Sequence, residues 1–300
     1  MSDNIFQEDA ITAFKQEVVD IIRDESIAFK IFPLNEAVEP DQSHFTYYKA
    51  KEQGKVQYNF ERQTPLWNKY ATEKVITAIP YHQANIGFGR HEAAQARKDV
   101  LNLDARIRFL IEDMVDDQNR TSIYGDANTG TVLSDTTNIS TAASDDLDLG
   151  TFVEATEHWY TGFNQLKNLL GNKFQGSQIK VIWTTDVETR AQVLMNTYDQ
   201  GQSFYDWLGE TLVKYNRGGS AQDHIFANDY LGSATGAGTT NMAVIASNPK
   251  NMELIHSRVE VIQGKSPLED LEIEVGQRLK PVFYRGNDAV IYHGTVVLTA

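Results

Sequence analysis

Two short stretches of the sequence have the residue types and spacing of known ligand sites. Gly125-Asp-Ala-Asn-Thr-Gly130 has the two glycines of a phosphate-binding loop, but Thr131 stands where that loop requires lysine, and the turn follows a predicted helix rather than a strand. Asp126 also begins a partial match to a calcium loop, in which Thr137 replaces the essential glutamate. Each match lacks a required side chain, so we predict neither nucleotide binding nor calcium binding here.

A second candidate ligand site consists of four carboxylates. Glu112 lies four residues before Asp116, and Asp113 lies four residues before Asp117. Such pairs hold a divalent metal when histidine lies close by, yet the nearest histidine in the sequence is His91. The chain has no cysteine, which excludes disulfides, thiolate metal sites and cysteine nucleophiles, and it has no Gly-x-Ser-x-Gly motif for a serine nucleophile. We predict no catalytic residue, no metal and no cofactor, and interpret the carboxylates as a solvated or partner-facing stripe.

A long amphipathic helix must carry that stripe. Apolar residues recur at three- and four-residue steps on the face opposite the carboxylates: Leu103, Ile107, Leu110, Ile111, Met114 and Val115. The helix is expected over about residues 103–120, because Thr121, Ser122 and the Gly125-Asp126 pair favour a turn.

The segments before this helix are expected to need partners. Residues 8–24 have helical periodicity, and residues 1–40 are too short to form a core, so we expect them to be poorly ordered in an isolated subunit. Residues 44–86 are aromatic and rich in β-forming residues, with a turn signal at 52–54. An excursion of this length inside a compact domain is unusual, and its aromatics and lysines indicate contact with another chain.

The second half predicts a mixed α/β region followed by strands. A helix is expected from Phe152 to Leu170, a buried strand at Ile179–Trp183, a capped helix from Val187, and a short helix within residues 201–215. Further strands are expected at Ile225-Phe226, Met242–Ala246, Glu253–Ile262, Leu271–Val275, Lys280–Tyr284 and Ala289–Leu298, with Gly276 as one of the breaks.

Composition and charge restrict the function further. Apolar residues make up 41% of 300 residues, which is enough for one large or two modest cores, and no apolar run is long enough to span a bilayer. The net charge of −14 disfavours tight, non-specific nucleic-acid binding. Residues 41–98 carry 9 basic and 5 acidic side chains, whereas residues 99–150 carry 3 basic and 11 acidic ones, so neighbouring segments have net charges of +4 and −8.

Several stretches, in their order, resemble one family. Ile123-Tyr-Gly125-Asp-Ala-Asn-Thr-Gly130 is similar to the apolar-x-Gly-Asp-x-x-x-Gly turn after the spine helix of tailed-bacteriophage major capsid proteins, and Ile179–Trp183 with the helix capped at Thr185-Asp186 resembles the start of their axial domain. The resemblance implies the α+β Hong Kong 97-type fold, which encapsulin shell proteins share. It implies an N-terminal arm at 1–43, an extended loop at 44–86, a peripheral domain at 87–177 and 266–300, and an axial domain at 178–265.

The resemblance also implies a function. The expected protein is a viral major capsid protein that forms hexameric and pentameric rings and an icosahedral head around the phage genome, assembled in the host cytoplasm and then part of the virion. Separate scaffolding, portal or decoration proteins are expected partners; the DNA is enclosed without tight binding, and no membrane is involved. An encapsulin-type compartment shell is the alternative with the same fold, and an acidic α/β enzyme with an unrecognised active site is the alternative of another class.

In the family, the extended loop lies over a neighbouring subunit. The loop's basic residues are therefore expected to contact the acidic stripe on the spine helix of the neighbouring subunit. Apolar loop residues are expected to supply most of the affinity. The expected inter-subunit contact residues are Lys51, Lys55, Arg62, Leu66, Trp67, Lys69, Tyr70 and Lys74 on the loop, and Glu112, Asp113, Asp116 and Asp117 on the spine helix.

Overall fold

The protein mixes helices and sheets, as the sequence predicts. The computed structural model describes residues 8–51, 71–88, 100–123, 140–141, 147–196, 201–233, 242–264, 271–284, 290–293 and 296–297. The helices in these ranges are α1 (Glu8–Glu25), α2 (Ile27–Ile31), α3 (Val100–Ile123), α4 (Phe152–Leu170), α5 (Thr185–Val193), α6 (Phe204–Asn216) and α7 (Tyr230–Ser233).

The strands form two larger sheets and two short pairs. They are β1 (Leu34–Asn35), β2 (His44–Lys51), β3 (Ala71–Ala78), β4 (Tyr81–Phe88), β5 (Ser140–Thr141), β6 (Leu147–Asp148), β7 (Gln178–Trp183), β8 (Ile225–Ala227), β9 (Met242–Ser247), β10 (Met252–His256), β11 (Glu260–Gly264), β12 (Leu271–Phe283), β13 (Val290–His293) and β14 (Val296–Val297). One sheet has the order β5-β13-β9-β7-β8, and the other has the order β1-β10-β12-β11 with β4 also paired to β12.

The first sheet is covered on both faces, which explains why its central strands have almost no polar positions. In β7 every residue after Gln178 is buried. Helices α4, α5 and α6 pack on one face around Trp159 and Trp183, and α2 packs on the other. The predicted helix 152–170 is confirmed, since a capping box between Thr151 and Glu154 starts it and Gly171 ends it.

The second sheet packs against α3. The predicted helix at 103–120 is confirmed and extends from Val100 to Ile123. Ile111, Met114 and Val115 are buried against α1 and against β4 and β12, in one apolar cluster. This cluster fixes the position of the long helix relative to the sheet.

Two details of this sheet differ from the sequence expectation. The predicted break at Gly276 is wrong, because β12 runs through it from Leu271 to Phe283. The single strand expected at 253–262 is instead divided into β10 and β11. Between these two strands Ser257, Arg258 and Val259 face only two residues of β12, which is the arrangement of a β-bulge.

The N-terminal segment is also more integrated than expected. Val18 and Ile22 of α1 are buried in the cluster with α3, Ile31 of α2 lies in the core between the two sheets, and β1 pairs in parallel with β10. The expected poor order in an isolated subunit was argued from the short length of this segment, whereas α1, α2 and β1 pack on other parts of the chain. Hydrogen exchange on the unassembled and assembled protein tests that expectation. Sequence periodicity identified the helix but could not show what its apolar face contacts.

Strands β2 and β3 form an antiparallel two-stranded ribbon, in which Tyr48 faces Lys74 and Thr46 faces Ile76. This is the described part of the predicted extended loop.

Core packing bears on the predicted domain boundaries. Helix α4 shares one core with β7 and β9, and β10 and β11 pair with β12 rather than with the first sheet. We therefore propose that the axial domain begins near Leu149, runs to Ser247 and also includes β13, which pairs with β9.

Candidate functional site

The acidic stripe lies on α3 as predicted, but its members have different surroundings. Asp113 is exposed, whereas Glu112 accepts a hydrogen bond from Arg108 Nε at 3.1 Å. Asp116 accepts a hydrogen bond from the hydroxyl of Tyr230, which ties α3 to α7. Asp117 is hydrogen-bonded to Nδ1 of His82 on β4 at 2.7 Å and also contacts Arg120. Asp116 and Asp117 thus bond to residues of other elements, whereas Glu112 bonds to Arg108 of its own helix. We therefore take Glu112 and Asp113 as the better candidates for contact with another chain.

Burial sets the charge state of the His82–Asp117 pair. His82 is 5% exposed, and desolvation lowers its pKa more than the hydrogen bond to Asp117 raises it. Burial would raise the pKa of Asp117, but hydrogen bonds from Arg120 and His82 outweigh it and leave that pKa lowered. At neutral pH, His82 is therefore uncharged and Asp117 is ionised, and Nδ1–H donates to the carboxylate.

We expect the stability contributed by His82 to be lost in mild acid. The folded-state pKa lies below the ordinary value of 6.5, so the unfolded chain binds this proton at higher pH than the folded chain does. The contribution is complete above about pH 6.5 and declines as the pH falls towards the folded-state pKa. Urea unfolding of the unassembled protein between about pH 8 and about pH 5 measures it. His82→Gln is the control, because glutamine still donates a hydrogen bond but does not titrate. Parallel stability profiles for the two proteins would contradict the expectation.

A group of buried polar side chains follows Asp117 along α3, and the sequence pattern did not reveal it. Gln118 of α3 donates to Gln277 of β12 at 3.3 Å, and both side chains are almost fully buried. Asn119 accepts hydrogen bonds from the backbone N–H of Ala28 and the hydroxyl of Ser26, which joins α3 to the start of α2. Positions 118 and 119 continue the helical steps from Ile111, Met114 and Val115, so extending the periodicity past the apolar residues would have found them.

The loop half of the predicted contact lies mostly outside the described residues. That applies to Lys55, Arg62, Leu66, Trp67, Lys69 and Tyr70, and to the side chain of Lys51, which ends β2. Lys74 is described and exposed. It shares one face of the ribbon with Tyr48 and Ile76, which are 62% and 61% exposed. The other face packs on the subunit through Phe45 and Tyr47.

The described residues offer little else that is chemically suggestive. Within the ranges given above, no group of three or more His, Asp or Glu is placed to hold a metal ion. No helix among them is long and apolar enough to cross a membrane. An open groove of about 450 Å³ between α1 and α3 is lined mainly by carboxylates, Glu17, Asp20, Asp24 and Glu25, with Arg108 beside them.

Sequence comparison identifies no relative: no protein-family model matches the chain, and no curated protein matches it. Comparison with solved structures finds whole-chain matches. The virus-like particle of Pyrococcus furiosus matches with a TM-score of 0.64 and 11% identity over 94% of this chain and 98% of that chain. The capsid of Myoviridae phage XM1 matches with a TM-score of 0.62 and 13% identity, over 91% and 92% of the two chains. The chain has the Hong Kong 97-type capsid fold.

A third match extends this result. The capsid of a native GTA particle aligns with a TM-score of 0.58 and 10% identity over 89% of each chain. From the order of the elements we propose that α3 is the spine helix, that the β2–β3 ribbon belongs to the extended loop, and that the sheet containing β7 lies in the axial domain. Identities of this size concern the fold alone, so function is inferred separately.

Proposed function

We propose that this chain is the major capsid protein of a tailed bacteriophage. Many copies associate into hexameric and pentameric rings, and the rings close into an icosahedral shell around the genome. The observation that carries the proposal is the agreement of the whole chain with shell-forming proteins, which covers 91% of this chain for the phage XM1 capsid. The shell is assembled in the host cytoplasm and becomes the virion head, with separate scaffolding, portal or decoration proteins as partners.

The exposed face of the ribbon supports self-association. A two-stranded ribbon is marginally stable by itself, and this one leaves Tyr48 and Ile76 more than half exposed beside Lys74. Aromatic side chains are enriched at the centres of protein–protein contacts, and charged side chains belong to their polar rim. A second copy of the chain is the partner that a shell supplies at every ring position.

Charge complementarity supplies the register of that contact. Residues 41–98, which include the loop, have a net charge of +4, and residues 99–150, which include the spine helix, have −8. In the stripe, Asp113 is exposed and Glu112 bonds within its own helix, so these two would meet the loop's cations. Leu66, Trp67 and Tyr70 would provide apolar affinity. Exposed pairs contribute about 0.2–1 kcal/mol each, so several pairs must act together to fix the register.

We expect the unassembled protein to bind DNA weakly. A net charge of −14 and an acidic groove between α1 and α3 leave few cations to neutralise phosphates. A shell whose inner surface has few cations binds DNA weakly and so lets it slide during packaging. Filter binding at moderate salt should therefore show little retention. Tight binding that weakens steeply as salt is raised would contradict the prediction.

An encapsulin-type compartment is the second candidate, and the match to the Pyrococcus furiosus virus-like particle, with a TM-score of 0.64, favours it. An acidic α/β enzyme is the candidate of a different class. Electron microscopy of the purified chain, followed by analysis of particle contents, separates the three. Shells or rings support both shell functions, and packaged nucleic acid or packaged protein then distinguishes them. A compact monomer with saturable catalytic activity would refute both.

A further inference from the structure

One face of β12 contacts the root of the extended loop at every second residue. We define the anchoring row as Gly276, Arg278, Lys280, Val282 and Tyr284, which alternate with residues facing the interior such as Leu279 and Phe283. The row begins beside β4 and ends under the β2–β3 ribbon. Its successive members meet successive parts of the loop root.

At the start of the row, glycine makes room for an aromatic ring. Tyr81 lies across Gly276 so closely that a Cβ at position 276 would be 2.0 Å from the Tyr81 hydroxyl oxygen. An aromatic ring over a strand glycine covers backbone that would otherwise be open to water. The same ring supports the next member, because the guanidinium of Arg278 lies 5.1 Å from the Tyr81 ring centroid.

Arg278 joins three segments of the chain. Its Nε donates to the carbonyl oxygen of Pro40 at 2.6 Å, and its Nη1 donates to the carbonyl oxygen of Ile79 at 2.9 Å. Pro40 precedes β2 and Ile79 follows β3, so one side chain holds carbonyl groups at both ends of the β2–β3 ribbon. The β-bulge at Ser257 lies opposite, where the Ser257 hydroxyl accepts a hydrogen bond from the backbone N–H of Arg278.

The outer members hold the ribbon itself. Lys280 Nζ donates to the hydroxyl of Thr77 on β3 at 2.7 Å, and burial lowers the pKa of this lysine. Tyr284 packs edge-to-face against Tyr47 on β2, with ring centroids 5.7 Å apart. Val282 is buried in the small apolar cluster beneath. Both strands of the ribbon are thus fixed to one strand of the subunit body.

From these contacts we propose that the anchoring row, with Arg278 as its central positioning residue, sets the direction in which the extended loop leaves the subunit and thereby the geometry of the assembled shell. This inference rests on the proposed shell function. A ribbon that reaches another subunit acts as a lever, so a small change of angle at its root becomes a large displacement at its far end. If the anchoring row held the base of the ribbon loosely, subunits could associate into rings of several curvatures. A fixed base allows only one curvature.

The test compares Arg278→Met with Arg258→Met. Arg258 lies on the neighbouring chain segment, is 79% exposed and pairs with Glu36 without contacting the loop, so both variants lose one arginine and one positive charge. Hydrogen exchange of residues 71–79 in the unassembled protein and the diameter distribution of assembled particles are measured. We expect Arg278→Met to raise exchange in this segment by about tenfold or more, the factor for losing even one hydrogen bond from a charged group, and to replace uniform shells with mixed sizes or open sheets. Arg258→Met should match the unmodified protein in both measurements.

A second variant tests the inference even if Arg278→Met does not fold. Thr77→Val is nearly isosteric, lies on the ribbon and removes the hydroxyl that Lys280 binds, so it should broaden the particle sizes in a subunit that remains folded. Uniform shells and unchanged exchange from Arg278→Met would overturn the inference. If Arg278→Met does not fold, uniform shells from Thr77→Val would overturn it instead. If the unmodified protein forms no shells, the proposed function fails, and the exchange measurement alone then decides whether the row fixes the loop.

Discussion

A chain in which Lys51, Lys55, Lys69 and Lys74 are all replaced by glutamate is expected to stay folded and to form no shells. Four such replacements change the charge by eight units, which turns the net charge of residues 41–98 from +4 into −4 opposite an acidic neighbour. Each single exposed pair is worth only about 0.2–1 kcal/mol, so one replacement should have little effect while four should prevent association. Sedimentation velocity at low and high salt measures the assembled fraction.

Reversing the charge of carboxylates on the spine helix should compensate for the four glutamates, but the structure limits which carboxylates can be reversed. Asp116 and Asp117 bond to Tyr230 and His82 within the subunit, so reversing their charge would disturb the subunit itself. Glu112→Lys with Asp113→Lys avoids those bonds and should partly restore assembly of the fourfold variant. Normal shells from the fourfold variant would end the hypothesis, as would a combined variant that assembles no better than the fourfold variant alone.

The largest effect on stability is expected from Trp159→Ala. Trp159 is 2% exposed in the core between α4 and the first sheet, with its ring centroid 6.0 Å from that of Phe163. Truncating a buried tryptophan removes its contacts and leaves a cavity, at a cost of about 3–5 kcal/mol. Whole domains are stable by only about 5–15 kcal/mol, so this loss should lower the urea midpoint of the unassembled protein strongly.

Its neighbour Tyr160 is the matched control. Tyr160 is 48% exposed on the same helix and contacts Trp207 at one edge, with ring centroids 5.6 Å apart. About half of the Tyr160 side chain is buried, so Tyr160→Ala should cost about 2 kcal/mol by the usual coefficient for buried apolar area, which is less than the cost of Trp159→Ala. Equal destabilisation by the two replacements would show that α4 does not pack as described.

The sequence alone determined the elements whose pattern is local. The spine helix follows from apolar residues at helical steps, and α4 follows from its capping residue Thr151 and the glycine after Leu170. The buried strand at 179–183 follows from a short apolar run, and the order of these elements was enough to suggest the capsid fold. Local hydrogen bonding and side-chain periodicity govern each of these features, so neighbouring residues contain the necessary information.

The tertiary structure alone decided where each face of these elements is used. The carboxylates at 112, 113, 116 and 117 have the same charge and regular spacing, yet two of them bond to side chains 35 and 114 residues away in the sequence. Gly276 looked like a strand break, but Tyr81 covers it and β12 continues. Arg278 gave no signal at all, because its role depends on carbonyl groups of Pro40 and Ile79 that only folding brings together. Contacts between residues distant in sequence leave no periodic pattern, so only the folded chain shows them.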